Sequence, residues 1–240
     1  MGLHTADAIV LRRYPYRETS LIVTCLTDGY GKLKGLVKGL RVQRSRHRSG
    51  MDALTMNRIV FYDTRTSQLH LISQCDLLEA LAGLARDLDT MQAAARCAGL
   101  VDHVIPLEEP QPGVFALLKD TLERLALGGA DHAALQAHFI VRLLRLIGFR
   151  PQLDACAACG AAVHAAAHWS ARQGGLLCRA CLPDDPEAPE ASPELLAALE
   201  RLAEAEAPPP VSPSLLPLLH RRLEEFLQWH LERPLTRAAV

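Results

Sequence analysis

Four cysteines fall into two close pairs, Cys156-x-x-Cys159 and Cys178-x-x-Cys181, with eighteen residues between the pairs. A two-residue gap lets both thiolates of a pair reach one ion from a tight turn. Two such knuckles complete a tetrahedron at Zn–S distances of about 2.3 Å. The spacing is that of a zinc site. Gly160 follows the first pair, where the chain must turn in a conformation suited to glycine, and Gly174-Gly175 fits a hairpin leading into the second. Four thiolates leave no open position for water, so the ion expected here is structural rather than catalytic. His164 and His168 lie between the pairs and are alternative ligands; they read rather as surface residues of a loop that Trp169 anchors. The plain alternative is two unrelated thiol pairs in a reduced core. Cys25, Cys75 and Cys97 stand alone in apolar surroundings and read as small core residues. The odd total of seven cysteines argues against a disulfide framework.

The second chemically suggestive feature is charge. Residues 29–51 carry Lys32, Lys34, Lys38, Arg41, Arg44, Arg46 and Arg48 and no acidic residue. A flexible arginine-rich loop beside a folded domain follows a phosphate backbone without reading bases. Tyr14, Tyr16 and Tyr30 lie near predicted turns of the same region and are candidates for stacking on unpaired bases. The alternative is a solvated loop with tyrosines filling the edge of the domain. Residues 184–206 are the counterpart, with eight acidic residues against Arg201 alone. Such opposition points to a polyanion-binding part and a separate acidic part.

Catalytic signatures are missing. Gly29-Tyr30-Gly31-Lys32 lacks the spacing of a phosphate-binding loop, and no Gly-x-Ser-x-Gly elbow occurs. Glu108-Glu109 and Asp184-Asp185 sit in proline-flanked loops, and His132 and His138 have no metal spacing. No acid–base pair stands out, so the chain is expected not to be an enzyme.

The elements that must carry these groups change character along the chain. The first 80 residues read as five short strands: Ala6 to Arg12, Ser20 to Thr27, Lys32 to Lys38, Thr55 to Asp63 and Leu69 to Cys75. Asp28-Gly29-Tyr30-Gly31 reads as a hairpin turn between the second and third. Closure of five strands into an OB-fold barrel removes exposed edges. After residue 80 the period is helical. Helices are expected over Asp87 to Val104, Gly113 to Leu127, and from an Asp131 cap to Ile147. The last has apolar residues on nearly every side and reads as the centre of a bundle. Pro183 to Pro193, with four prolines and four acidic residues, reads as an extended linker. Two more helices follow, over Pro193 to Ala205 and Ser214 to Glu232. The expected organisation is α+β: a barrel over 1–80 and a helical domain over 81–240, with a zinc insertion at about 154–183.

The chain of 240 residues is 49% hydrophobic and 22% charged, with a formal net charge of −1. That is the composition of a soluble globular protein with a sizeable core. No apolar run approaches a bilayer span, and Met1 to Asp7 lacks a signal-peptide pattern, so a cytosolic protein is expected.

Taken together, several blocks resemble one family. They are Ala8-Ile9-Val10-Leu11-Arg12, Glu18 to Thr24, Gly31 to Gly39, and Leu143 to Pro151 followed by Cys156-Ala157-Ala158-Cys159-Gly160. Over essentially the whole chain they resemble the bacterial DNA repair and recombination mediator family RecO. The resemblance implies a non-catalytic protein that binds single- and double-stranded DNA and anneals complementary strands. It implies two partners, RecR and the acidic, hydrophobic C-terminal tail of single-strand-binding protein, and a role in loading RecA onto coated single strands. Zinc is not universal in the family, and the quartet marks a zinc-bearing version. Arg142 and Arg145 are candidates for the basic rim of a tail-binding groove. Outside the family, the same features fit an RNA-binding protein, an adaptor gripping acidic protein tails, or a zinc hydrolase.

Overall fold

The computed structural model of the chain describes residues 2–38, 50–64, 67–129, 131–163 and 167–231. Packing groups them into two compact units, one ending at Gly129 and one beginning at Ala130.

The first unit begins with five strands: β1 (Leu3–Tyr16), β2 (Ser20–Thr27), β3 (Gly31–Val37), β4 (Met56–Tyr62) and β5 (Leu69–Glu79). They close into a barrel in the order β1-β2-β3-β5-β4, with β4 returning to β1 and β3 parallel to β5. This is the expected five-stranded closed architecture. Alternation decides what faces inward: Leu33, Gly35 and Val37 on β3, Ile59 and Phe61 on β4, and His70 and Ile72 on β5 are buried. Cys25 and Cys75 belong to this interior, as expected of core thiols. Burial pushes the Cys25 thiol up to about 12, with Cys75 adding to the effect. Gly31 ends the β2–β3 hairpin at φ +71, and a Cβ there would run into the carbonyl of Glu109. Only glycine meets both demands.

β1 is longer than its alternation predicts. A register shift between Val10 and Arg12 separates an inward-packed half from the run Arg12 to Tyr16, exposed throughout. That run pairs on with β2, from Arg12↔Thr24 to Tyr16↔Ser20, beyond the stretch of β1 that pairs with β4, while β2 pairs with β3 on its other side. Two helices complete the unit, α1 (Leu88–Val104) and α2 (Pro112–Leu127). The Asp87 side chain accepts from the Thr90 N–H to cap α1, and Pro112 opens α2.

The second unit is built on α3 (His132–Leu146), which packs against α4 (Pro193–Glu204) and α5 (Leu216–His230). Asp131 caps α3 by accepting from Ala133 and Ala134 N–H groups. Its buried residues run around the helix, from Leu135 and Phe139 to Ile140, Val141 and Leu144, as suits a central helix. Between α3 and α4 lies a small lobe with β6 (His168–Ser170), β7 (Gly175–Leu177) and a 3₁₀ turn over Arg179–Asp184. Trp169 anchors it, fully buried with its ring 6.0 Å from Phe226.

The segment 183–193 is not the extended linker its composition suggests. Ala188 and Ala191 are buried, the Trp169 N–H donates to Pro189 O, and the Ala191 N–H donates to Ala167 O. Asp185 accepts from the Ser170 hydroxyl at 2.6 Å. Prolines and acids alternate here with small apolar residues, and the latter dock the segment on the lobe. No described helix is long and apolar enough to cross a membrane.

Candidate metal centre and nucleic-acid interface

The cysteine knuckles are placed by backbone hydrogen bonds. The Cys156 N–H donates to Ala161 O, the Gly160 N–H to Cys156 O, and the Cys181 N–H to Cys178 O. Gly160 takes φ +72, as the first turn requires. The Leu176 N–H donates to Gln152 O and the Ala157 N–H donates to Leu176 O, which fixes the first knuckle against β7 and so against the second. The four sulfurs lie within 4.8 Å of one another, and Cys159 and Cys178 are 3.8 Å apart. Sulfurs about 2.3 Å from a central ion would stand roughly 3.8 Å apart in a tetrahedron. The group therefore fits one metal ion, and all four positions picked out by spacing meet at it. His168 opens β6 instead, and His164 lies outside the described residues.

Electrostatics favour a cation at this point. Burial pushes the Cys156 thiol up, but N–H groups of Cys178, Cys159 and Ala158 aimed at its sulfur outweigh that and bring it to about 6. The Cys178 N–H reaches that sulfur at 3.4 Å. Cys181 is pushed up to about 12, first by hydrogen bonding of its thiol with the Cys159 and Cys178 sulfurs and last by the charge of Cys156. A divalent ion held here would offset the mutual repulsion of the sulfurs and keep all four as thiolates. With four sulfur donors around it, a tetrahedral ion would have no position left for a reacting water.

The basic region divides. Arg41, Arg44, Arg46 and Arg48 lie outside the described residues. Lys34 and Lys38 are exposed on the outer face of the barrel. Lys32 is not. Its side chain is 9% exposed, and its ammonium donates to the Asp102 carbonyl and lies 3.4 Å from the Asp102 carboxylate. Burial lowers the Lys32 pKa and Asp102 partly restores it. Lys32 stays on the outward side of β3, but the last turn of α1 roofs it, and a short bridge from Lys32 to Leu107 closes the site. The expectation that Lys32 binds phosphate is corrected: its charge is used inside the first unit. Replacing Lys32 with methionine should leave Asp102 with Arg12 alone and destabilise the unit by about 2–3 kcal/mol in urea unfolding. The salt dependence of nucleic-acid binding should not change. A flattening of that dependence by one phosphate contact would reinstate Lys32 as a ligand.

Tyr14 and Tyr16 stand 46% and 38% exposed on the far half of β1. Tyr30, 36% exposed, packs edge-on against Phe61 at 5.3 Å and beside His4 at 5.0 Å, so part of its ring is already covered. The reading of charge alone passed over Arg12, Arg13 and Arg17. The Arg12 guanidinium sits 5.7 Å from the Tyr14 ring centre and Arg17 5.2 Å from that of Tyr16. Arg12 also pairs with Asp102, and Arg13 with Asp52 at 2.6 Å, whereas Arg17 is at the exposed tip. The run Arg12-Arg13-Tyr14-Pro15-Tyr16-Arg17 was the available signal.

Arg142 and Arg145 have an internal use. Arg142 donates to Ala205 O at 3.1 Å and Arg145 to Ala203 O at 2.9 Å, and His138 meets Ala205 O at 3.0 Å. These carbonyls end α4, where cations are favoured by the helix dipole. The paired carboxylates are structural too: Glu108 meets the buried His70 at 3.1 Å, and Asp185 holds Ser170.

Comparison with known proteins agrees over both units. A model described as recombination protein O N terminal matches residues 1–81, and one described as recombination protein O C terminal matches residues 85–238. Three similar proteins are each named DNA repair protein RecO. That of Moorella thermoacetica is 36% identical over 66% of this chain and 58% of its own length. Those of Rubrobacter xylanophilus and Anaeromyxobacter sp. (strain K) are 34% and 32% identical, covering 87% and 95% of this chain and 83% and 91% of their own. The match thus spans less than two thirds of the Moorella protein and most of the other two. With family models matching both parts of the sequence, the chain belongs to the recombination protein O family.

Proposed function

We propose that this chain is a non-catalytic DNA-binding mediator of recombination in DNA repair. It binds single- and double-stranded DNA and anneals complementary strands. With RecR it helps load RecA onto single strands coated by single-strand-binding protein, whose tail it also binds. Family membership supports the DNA repair role, and the relatives' names carry the same words. The observation that carries the DNA-binding part is one end of the barrel. Pro15, Leu21 and Val37 lie in one row across β1, β2 and β3. Tyr14, Tyr16, Arg17 and Lys38 are therefore neighbours at that end, and the sequence runs on from Lys38 into the arginine-rich stretch. Cations there neutralise phosphates, and the tyrosines offer faces to unpaired bases. Arg142 and Arg145 are kept as candidates for the tail site, although each already ends α4.

The ion in the lobe is proposed to be one structural zinc, because four soft thiolates in a tetrahedron select it over hard cations. The reading places the protein in the cytoplasm with the nucleoid, and places a boundary near residue 80 between the DNA-binding barrel and the helical region. A strand-annealing assay on DNA coated with single-strand-binding protein tests the function. Annealing by the wild-type chain, weakened by substitutions in 38–48, is expected. Failure of a bare DNA homopolymer to be retained would indicate an adaptor for acidic tails, and preference for RNA over DNA of matched sequence would indicate an RNA-binding protein.

A further inference from the structure

The chain has two tryptophans with opposite fates. Trp169 is buried, whereas Trp229, near the end of α5, is 59% exposed. The Arg172 guanidinium lies 5.9 Å from the centre of the Trp229 ring. Arg172 sits on the tight turn between β6 and β7, where the Gly174 N–H donates to Ala171 O and the Gln173 N–H to Ser170 Oγ. His230 ties α5 to the same turn by donating from Nε2 to Ala171 O at 2.8 Å. The His230 ring lies 4.3 Å from Phe226 and 6.3 Å from Phe149, itself 41% exposed. Three separate segments of the second unit thus bring two exposed aromatic rings and a guanidinium to one corner, with Arg150 beside Phe149 in sequence.

We infer that this corner is a second contact for unpaired nucleic acid, with Trp229 stacking on a base and Arg172 engaging the adjoining phosphate. The inference rests on the DNA-binding reading and adds to it a site on the helical unit. Exposing an indole and a phenyl ring to water is unfavourable, and no packing among the described residues of the unit calls for it. The arginine held over the indole suits a stacked base next to a negative backbone. An acidic peptide with an aromatic residue matches the charge equally well. Such a peptide, however, anchors its ring in a pocket, and a Trp229 that is 59% exposed presents a face instead.

The full-length, metal-loaded chain is titrated with an oligothymidylate and with a duplex of matched length, reading tryptophan fluorescence and affinity. The expected result is quenching by the single strand. Trp229→Ala should weaken single-strand binding about tenfold, Trp229→Phe should restore most of it, and duplex binding should hardly change. Arg172→Gln should weaken it by a smaller factor and lessen its salt dependence. Wild-type affinity of both Trp229→Ala and Arg172→Gln for the single strand would overturn the second site while leaving the barrel as the DNA contact. Absence of any wild-type binding to either DNA would overturn the underlying reading instead. Displacement of the strand by an acidic, aromatic-ended peptide whose own binding needs Trp229, with strand affinity unaltered in Trp229→Ala, would assign the corner to a protein partner and overturn the inference.

Discussion

Replacing Cys178 with alanine is expected to remove the bound metal and unfold the lobe between α3 and α4, while the barrel stays folded. Trp169 fastens one side of the lobe to Phe226 of α5, but the side that carries the cysteines has little apolar interior. Cys156, Leu177 and Ala188 are the buried cluster there, with Val163, Cys178, Cys181 and Leu182 partly buried around them. Two strands of three residues each cannot hold such a structure. A structural zinc site contributes about 10–16 kcal/mol of apparent binding free energy, more than the whole stability of many domains. Metal analysis should fall from one zinc per chain to none. Trp169, buried in the lobe, should become accessible to a soluble quencher. A chelator acting on the wild-type chain should reproduce both changes. If the Cys178→Ala chain lacked metal and yet kept Trp169 shielded, the ion would not be what holds the lobe.

How far such claims follow from sequence depends on where their causes lie along the chain. The metal centre was legible because its ligands and turns are local: two knuckles and Gly160 determine most of the geometry. The barrel was legible because alternation over β2 to β5 states which face is inward. Lys32 was misread because its partner Asp102 is seventy residues away on α1. An outward position on a strand becomes a buried one only when a helix covers it, and no local pattern records that. The contacts of Arg142 and Arg145 are likewise unrecorded in any local pattern, since the carbonyls they reach belong to a helix some sixty residues on. The far half of β1 was missed because Arg12 to Tyr16 are all exposed, which leaves no alternation to read. The acidic segment failed for a different reason. Its prolines and carboxylates dominate the composition, while the docking depends on two alanines too small to register as a core.

These corrections sharpen what the basic stretch should do. With Lys32 withdrawn, Lys34, Lys38, Arg41, Arg44, Arg46 and Arg48 are left to meet phosphates. If about five of the six engage a single strand, log affinity should fall against log salt with a slope of roughly −3.5. Replacing Arg41, Arg44 and Arg46 with alanine removes about three contacts and should flatten the slope to roughly −1.4. The loss should be equal for unrelated sequences, because phosphate contacts position a strand without reading it. Between 50 and 200 mM salt, the wild-type affinity should drop about a hundredfold, and the triple variant's only several-fold. The variant should therefore differ most from wild type at low salt. Zinc content and unfolding behaviour should match wild type, since the three arginines lie outside the sequence of both the lobe and the strands. A slope unchanged by the triple substitution would move the DNA contact off this stretch. The end of β1 with Tyr14, Tyr16 and Arg17 would then have to carry it, and Arg17→Gln would become the variant that flattens the slope.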